Sequence, residues 1–556
     1  MPRYPLALPF LLAIASAGCG SEETTEPAPP DPEPEECGPG ALDLPEGCKP
    51  AGIPTCAEGF VSDELGGCLP VLPPAPCPEG TMAVPGETVC REVAPCGDGT
   101  WGDIPVAPDT QHVDGAYAGG DGDGTAVRPW PTIAQGIAAA APGAIVAVAA
   151  GSYLEDLTVQ GKPVVLWGRC PALVELRGGP SALAPLFVRA GANGTAVRDL
   201  ALTGPQNGLA CSGSLDVLAD RVWIHHTGSR GLSMESTLGP TSVTLARSLV
   251  EQTTGIGAFT LTAPLTIEDS VVRQTQPTSE RSGGIGVQTG ATLELRTSVV
   301  EFNGEDGIFV SSSEALVESS VVRDTQPDTA QAWGGGISIL RDNATQEPSS
   351  ATLRDTLVER NRTYGIFVEG STAALERVVV RDTQAETATD TLGPGIQVQN
   401  HAALAQPSDV TIREAVFERN HYAGISVTGA TAWIESVIVR DTVRAPARVD
   451  HGRGILVFFD AASQLPTTAT VLGSVVERNT EAGIFGQAVE LTVDRTAVRD
   501  TNPRTDDSYA GRGISMQSED HLHPSHLIVR DSLLENNHNS SLLVGGTFAT
   551  IERTEV

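Results

Sequence analysis

From about residue 200 onward the chain repeats one pattern: two or three aliphatic residues, a short polar phrase, then a turn. Two phrases alternate. Val-Val-Arg-Asp-Thr is marked by Arg273, Arg323, Arg381, Arg440 and Arg499, its first copy reading Val271-Val-Arg-Gln-Thr275. Val-Val-Glu-Arg-Asn is marked by Glu301, Glu359, Glu418, Glu477 and Glu535, with variants at the first and last. Each Glu from 301 is followed by an Arg 22 residues on (301→323, 359→381, 418→440, 477→499), and each Arg from 323 by a Glu 36 or 37 residues on. A Gly-Ile pair recurs at Ile308, Ile337, Ile366, Ile396, Ile425, Ile455, Ile484 and Ile514.

Self-similarity at such periods predicts stacked repeats, each burying its apolar face against the next. The short unit holds three β-like runs, as in Gly365-Ile-Phe-Val368, Ala373-Ala-Leu-Glu376 and Val378-Val-Val-Arg381. Three strands in roughly 22 residues make the coil of a β-helix. Leucine-rich repeats would show spaced leucines, and propeller blades need longer hairpins and a period of about 40–45 residues. The longer units are the same coil with inserts. One kind follows the Thr (326–335, 384–394, 443–453, 502–512); the other follows the Gly-Ile strand (341–350, 400–409, 459–468). Every second coil therefore projects two loops, each kind along one side of the solenoid.

Stacking puts equivalent residues about 4.8 Å apart, where like charges would repel. The sequence alternates them: Arg273, Glu301, Arg323, Glu359, Arg381, Glu418 and onward in one column, Asp324, Arg360, Asp382, Arg419, Asp441, Arg478 in the next. A third column alternates Thr325, Asn361, Thr383, Asn420, Thr442, Asn479. These patterns predict charge ladders and a Thr/Asn hydrogen-bond ladder at a turn. The carboxylates then read as structural, each exposed pair adding about 0–1 kcal/mol.

Ahead of the repeats, Gly119-Gly-Asp-Gly-Asp-Gly-Thr125 leads to Pro129-Trp-Pro-Thr-Ile133. Thr132 with Gln135 fits a capping box, and Ile133, Ile137 and the alanines predict a short helix ended by Pro142-Gly143. Strands follow at Ala144–Val148 and Val164–Gly168. This order resembles the start of pectin-lyase-like right-handed parallel β-helices, in which a short helix plugs the first coil. The resemblance covers residues 115–180 by motif and continues by repeat pattern. It implies an all-β fold: a right-handed parallel β-helix solenoid with a short N-terminal capping helix, preceded by a small Cys-rich module. The domains read as 1–18 signal peptide, 19–36 acidic Pro-rich linker, 37–100 Cys-rich disulfide module, 101–180 cap and first coils, and 181–556 repeats. The last residues, Glu552-Arg-Thr-Glu-Val556, approach one more repeat whose Arg falls due at 557, so truncation or an exposed last coil is expected.

Composition narrows the function. With 69 Asp+Glu against 35 Lys+Arg the net charge is −34, which repels phosphate and argues against nucleic acid as partner. A basic start, an apolar run from Tyr4 to Ala17 and the small residues before Cys19 read as a secretory signal too short to span a bilayer. Ala15-Ser16-Ala17-Gly18-Cys19 resembles the bacterial lipobox, with Ser16 where Leu is usual; lipidation of Cys19 would make the protein an anchored bacterial outer-membrane or cell-surface lipoprotein. Ordinary cleavage after Ala17 is the alternative. Residues 20–36 are mostly Pro, Glu and Thr, with almost nothing apolar, too polar to fold, and suit a stalk.

Nine further cysteines, Cys37, Cys48, Cys56, Cys68, Cys77, Cys90, Cys96, Cys170 and Cys211, predict disulfides in an exported chain. With Cys19 lipidated the number is odd: Cys170 and Cys211 are expected to pair across neighbouring layers, which leaves one cysteine of the module free or intermolecular. Connectivity is not fixed by the sequence.

Candidate chemistry is sparse. Asp121 and Asp123, in a Gly-rich loop, are the candidate calcium ligands, without the rest of a calcium loop. The Gly-His-Gly and Arg-x-Lys motifs of polygalacturonase-like hydrolases are absent, as is the Asp-Pro-His-Asp of alginate epimerases. Asp450, His451 and Arg453, in an insert, are the candidate catalytic residues. Trp333, Tyr364, Tyr422 and Tyr509, with His451 and Arg453, are the candidate lining of a sugar-binding groove. His225-His226 reads as a stacked turn position in an early coil. Fold does not decide activity. The expectation is a non-catalytic, lipid-anchored surface β-helix for binding, adhesion or envelope scaffolding, with a glycan or surface protein as partner. The alternative is an extracellular polysaccharide lyase or glycoside hydrolase of the same fold.

Overall fold

The structure is a computed structural model that describes residues 40–44, 47–279, 281–447, 452–504, 510–518 and 523–556. The chain divides into two compact units, Met1–Cys37 and Gly38–Val556. The first, with Cys19 and Cys37, lies outside the described residues. Among those described, no helix is long and apolar enough to cross a membrane.

The second unit is a solenoid of three long parallel sheets. Each coil contributes one strand to each, in a fixed order. Thr292–Arg296 lies in the back sheet, Val299–Glu301 in a second sheet, and Asp306–Ser311 in a third. Both kinds of insert flank the third sheet, which is called the insert sheet here. Inserts of one kind touch along the solenoid: His401 Nε2 lies 3.0 Å from Asn343 Oδ1, and Ala447 N–H donates to Asp390 O at 3.0 Å.

The Gly-Ile phrase has a steric cause. Ile308, Ile337, Ile366, Ile396 and Ile425 stack in register as one column of the interior, each 0–1 % exposed. The preceding glycines leave no room for a side chain: a Cβ on Gly365 would lie 2.5 Å from the Gly395 carbonyl oxygen. At the turn after Val-Val-Arg or Val-Val-Glu the backbone is left-handed, φ 55° at Asp324 and 52° at Arg360, and this recurs coil after coil.

The ladders form, and their two columns divide the work. Arg323, Arg381, Arg440 and Arg499 reach back across the 22-residue step to Glu301, Glu359, Glu418 and Glu477, with Nη2–Oε2 distances of 2.6–2.9 Å. Arg360, Arg419 and Arg478 reach back across the longer step to Asp324, Asp382 and Asp441, each through two N–H···O bonds of 2.8–3.0 Å. Together they stitch successive coil junctions, the Arg–Asp pairs bidentate and the Arg–Glu pairs with two N–H groups on one carboxylate oxygen. Asn361 Oδ1 accepts from Thr325 N–H at 3.1 Å, Asn420 Oδ1 from Thr383 N–H at 3.1 Å, and Asn479 Oδ1 from Thr442 N–H at 3.0 Å.

The expected exposure of the first column is corrected. Arg273 and Arg440 are 1 % exposed. The cause is the Cys-rich segment, which lies as a strap along the second sheet, called the strap sheet from here. Gly52 N–H donates to Ser436 O, Arg440 Nη1 to Leu65 O, Gly80 N–H to Glu251 Oε1, and Arg169 Nε to Cys96 O. Read in chain order, these contacts run opposite to the solenoid. The strap's core is shared: Leu42, Ile53, Phe60, Met82 and Val84 pack on the outward column Val271, Val299, Val321, Leu357, Val379, Val416 and Ile438.

Disulfides join Cys56–Cys68, Cys77–Cys90 and Cys96–Cys170, and Cys48 is also disulfide-bonded. The expected disulfide at Cys211 is corrected. Cys170 is taken by Cys96, and Cys211 is a free thiol inside the solenoid, pushed up to about 12 by burial.

The capping helix, α1, spans Ile133–Ala139. Thr132 Oγ1 accepts from Gln135 N–H at 3.3 Å and donates to the Gln135 side chain at 2.9 Å. Glu155, which the sequence pattern did not single out, takes the N–H groups of Ile133 and Ala134 at 2.8 and 2.9 Å, and Lys162 caps the other end at the carbonyls of Ala138 and Ala140. At the far end Phe548 and Ile551 of the last coil are exposed.

Candidate binding groove

Of the residues expected to line the insert side, three of the four described, Arg453, Tyr364 and Tyr422, are engaged elsewhere. Asp450, His451 and Tyr509 lie outside the described residues. Arg453 is 6 % exposed; its Nη2 meets Glu481 Oε1 at 2.7 Å and its guanidinium lies 3.7 Å from the Phe485 ring centre. Tyr364 is corrected from a ligand-facing ring to a buried one. Its hydroxyl donates to Asp306 Oδ1 at 3.1 Å and lies 3.0 Å from Ser338 Oγ. The ring fills the space over Gly335, where a Cβ would lie 2.0 Å from Tyr364 Cε2. Burial pushes the Asp306 carboxyl up. Tyr422 is half-buried against the cluster of Ala423, Leu456 and Phe485. Trp333 remains exposed.

Asp121 and Asp123 share Arg128. Asp123 accepts from Thr125 Oγ1 at 2.7 Å and pairs with the Arg128 guanidinium, whose Nη1 lies 3.9 Å from Asp121 Oδ2. The Thr125 hydrogen bonds and Arg128 hold the Asp123 carboxyl low. A guanidinium thus stands where a cation would add its charge. Among the described residues no group of three or more His, Cys, Asp or Glu is arranged to hold a metal.

The structure instead assembles a groove that the sequence pattern did not reveal. It lies on the strap sheet of the first coils, where the strap leaves the ladder. Its walls carry Ser152, Arg177, Thr203, His226, Gln252 and Thr254, with Leu154 and Pro205 as apolar surface, and its volume is roughly 760 Å³. The floor is glycine backbone: a Cβ on Gly204 would meet Gly178 N at 3.0 Å.

A shift of register creates it. Ala201–Gly204 pairs with Trp223–Thr227 so that Leu202 faces Ile224 and Gly204 faces Thr227. Thr203 alone therefore opposes both His225 and His226, a bulge that re-aims side chains as bulges beside functional sites do. In the next coils His225 aligns with Glu251 and then Arg273, so the histidine heads the charge ladder. His226 takes the left-handed turn position with φ 49°, which Gln252 repeats at 54°.

His225 is pinned. Its ring stacks on Trp223 with centroids 3.8 Å apart, and Trp223 Nε1 donates to Glu251 Oε1 at 2.9 Å. His225 Nδ1 lies 3.0 Å from His226 Nδ1. Burial first, and neighbouring His226 second, bring the His225 imidazolium down to about 4, so it is neutral at physiological pH. Among the described residues its buried Nε2 has no hydrogen-bond partner, and it stands 4.0 Å from Glu175 Oε1. Glu175 in turn accepts from Ser152 Oγ at 3.0 Å and lies 3.9 Å from Arg177 Nε. His226 is half exposed, with its Nδ1 3.9 Å from Glu79 Oε1 of the strap. The site offers many neutral donors and acceptors, one guanidinium and one accessible imidazole. The one sequence signal for it is a deletion: Leu202-Thr-Gly204 lacks the residue that Ile224-His-His-Thr227 and Val272-Arg-Gln-Thr275 contain.

A family model described as the right-handed β-helix region matches residues 186–458. No curated protein is similar enough in sequence to match. Among solved structures, the chain is similar to a pectate lyase at 14 % identity and TM-score 0.33, covering 55 % of this chain and 78 % of that one. It is similar to the A-module of a mannuronan C-5 epimerase from Azotobacter vinelandii at 13 % identity and TM-score 0.35, covering 74 % and 91 %. The catalytic unit of a thermostable α-1,3-glucanase from Streptomyces thermodiastaticus gives 14 % and 0.33, covering 76 % and 65 %. Identities of 13–14 % and TM-scores of 0.33–0.35 carry neither fold nor activity over to this chain. The chain is a right-handed parallel β-helix.

Proposed function

We propose that this is an exported, lipid-anchored surface β-helix that binds saccharide through the groove of its first coils, without chemistry of its own. The observation that carries this is the groove's lining, an open cleft of hydroxyls, an amide, Arg177 and His226 around glycine backbone, with Leu154 as an apolar contact. Polar side chains fixed on rigid strands around a cleft are what sugar recognition requires. The ladder carboxylates are each tied to arginine and serve the scaffold. Disulfides and the Cys19 context support export to an oxidising compartment, with the polar stretch 20–36 as stalk.

A second reading, a polysaccharide lyase or hydrolase, is favoured by one fact: His226 and Arg177 share the groove. One experiment separates the two. The chain from residue 20 is offered uronic-acid and neutral polysaccharides, with and without calcium, while bound glycan, new reducing ends and unsaturated-product absorbance are followed. Binding with no product is expected. Product formation would replace the binding reading by the enzymatic one, and neither binding nor product from folded protein would remove both. A Cys19→Ala chain is expected to leave the membrane fraction; unchanged retention would contradict the lipid anchor.

A further inference from the structure

We propose that Glu175, His225 and His226 form a carboxylate–imidazole–imidazole chain that fixes His226 as a hydrogen-bond acceptor in the groove, so that the groove selects a neutral, hydroxyl-bearing saccharide. The inference rests on the saccharide-binding reading for its ligand and stands apart from it for its proton arrangement.

Three contacts set the order of protons. His225 Nε2 is buried and has no hydrogen-bond partner among the described residues, and the nearest charge it faces is the Glu175 carboxylate at 4.0 Å, beyond hydrogen-bond reach. A bare lone pair there would face negative charge in a place poor in water, so Nε2 carries the hydrogen. A neutral imidazole has one N–H, which leaves His225 Nδ1 bare. The 3.0 Å contact between the two Nδ1 atoms needs one donor, and His226 must supply it. That N–H also lies 3.9 Å from the Glu79 carboxylate, which favours the same choice. In the neutral form of His226, Nε2 is then bare, on a ring that lines the groove. Which nitrogen of a histidine accepts is set in this way by what its other nitrogen donates to.

The ligand class follows from the acceptor and its neighbours. A bare Nε2 takes an O–H, and the Arg177 guanidinium supplies N–H groups for a second oxygen. The charged groups facing the two rings are Glu175 and Arg177 from the solenoid and Glu79 from the strap, with Glu251 held behind Trp223. One guanidinium in the groove against two carboxylates beside it, in a chain of net charge −34, disfavours a polyanion. A sugar rich in hydroxyls and free of carboxylates meets the donors and acceptors without that cost.

The test uses the full chain labelled with ¹⁵N at histidine. Long-range ¹H–¹⁵N correlation at pH 8 assigns the tautomers, with His226→Gln and His225→Phe spectra identifying the peaks. Hydrogen on Nδ1 of His226 and on Nε2 of His225 is expected, and Glu175→Gln is expected to mix the His226 tautomers. Hydrogen on Nε2 of His226 would overturn the chain. The same protein is titrated with neutral hexasaccharides of glucose and of mannose and with hexagalacturonate. At least one neutral sugar is expected to bind tenfold or more tightly than hexagalacturonate, and His226→Leu to weaken it tenfold or more. Tighter binding of hexagalacturonate would overturn the ligand class while leaving saccharide binding intact. If none of the sugars binds, the ligand class and the binding reading fall together, and the tautomers still decide the proton arrangement.

Discussion

At the scale of single residues, the alternating arginines and glutamates were legible because identical charges cannot stack a strand spacing apart. Their burial was not legible, since nothing in Val-Val-Arg-Asp-Thr says that a distant segment lies over it. That burial changes the energetics. Arg273 and Glu251 are both almost fully enclosed, and Arg273 also donates to the carbonyls of Cys77, Pro78 and Thr81. Removing one partner strands a buried charge, so Arg273→Ala is expected to lower stability to denaturant by about 3–5 kcal/mol. Arg413→Ala, which breaks an exposed pair with Glu435, is expected to cost under about 1 kcal/mol. Equal costs would contradict the burial. His225 gives a pH signature. Its imidazolium is held near 4 in the fold against 6.5 when unfolded, so the unfolded chain holds the extra proton between those values. The stability is therefore full above pH 6.5 and falls as acid is added toward pH 4, by about 3 kcal/mol at most. His225→Phe keeps the ring on Trp223 and is expected to flatten the stability–pH curve across that window. An unchanged slope would contradict the neutral histidine.

At the scale of elements, coil, inserts and helix α1 follow from period and capping, and the Gly-Ile phrase from the closeness of successive glycine carbonyls. The strap's docking was hidden because its contacts join residues hundreds of positions apart, such as Leu65 with Arg440. Local pattern carries no such information. Cysteine spacing gave disulfides without partners, and the actual link of Cys96 to Cys170 ties the strap to the first coil. Closing a 74-residue separation is worth about 4 kcal/mol of loop entropy. A Cys96→Ser/Cys170→Ser chain is expected to lose amide-exchange protection in the strap near residues 91–104 before the solenoid interior loses any. Uniform loss throughout would show that the strap is not a separable element.

At the scale of the whole molecule, the repeats build a rigid rod whose charged columns serve its own junctions, and the irregular coil carries the site. The groove was invisible to repeat counting because it arises from one missing residue before Gly204, in the stretch where the phrases are weakest. The aromatic residues on the insert side read as sugar platforms in the sequence, yet Tyr364 is consumed by packing over Gly335. If saccharide is held by the first-coil groove, the decisive measurement is calorimetric titration of the tightest-binding glycan into wild type, Arg177→Ala, Gln252→Ala and Trp333→Ala chains. The two groove variants are expected to lose tenfold or more in affinity while Trp333→Ala binds as wild type does. Loss of binding in Trp333→Ala, with both groove variants unaffected, would contradict the assignment and return the site to the insert side.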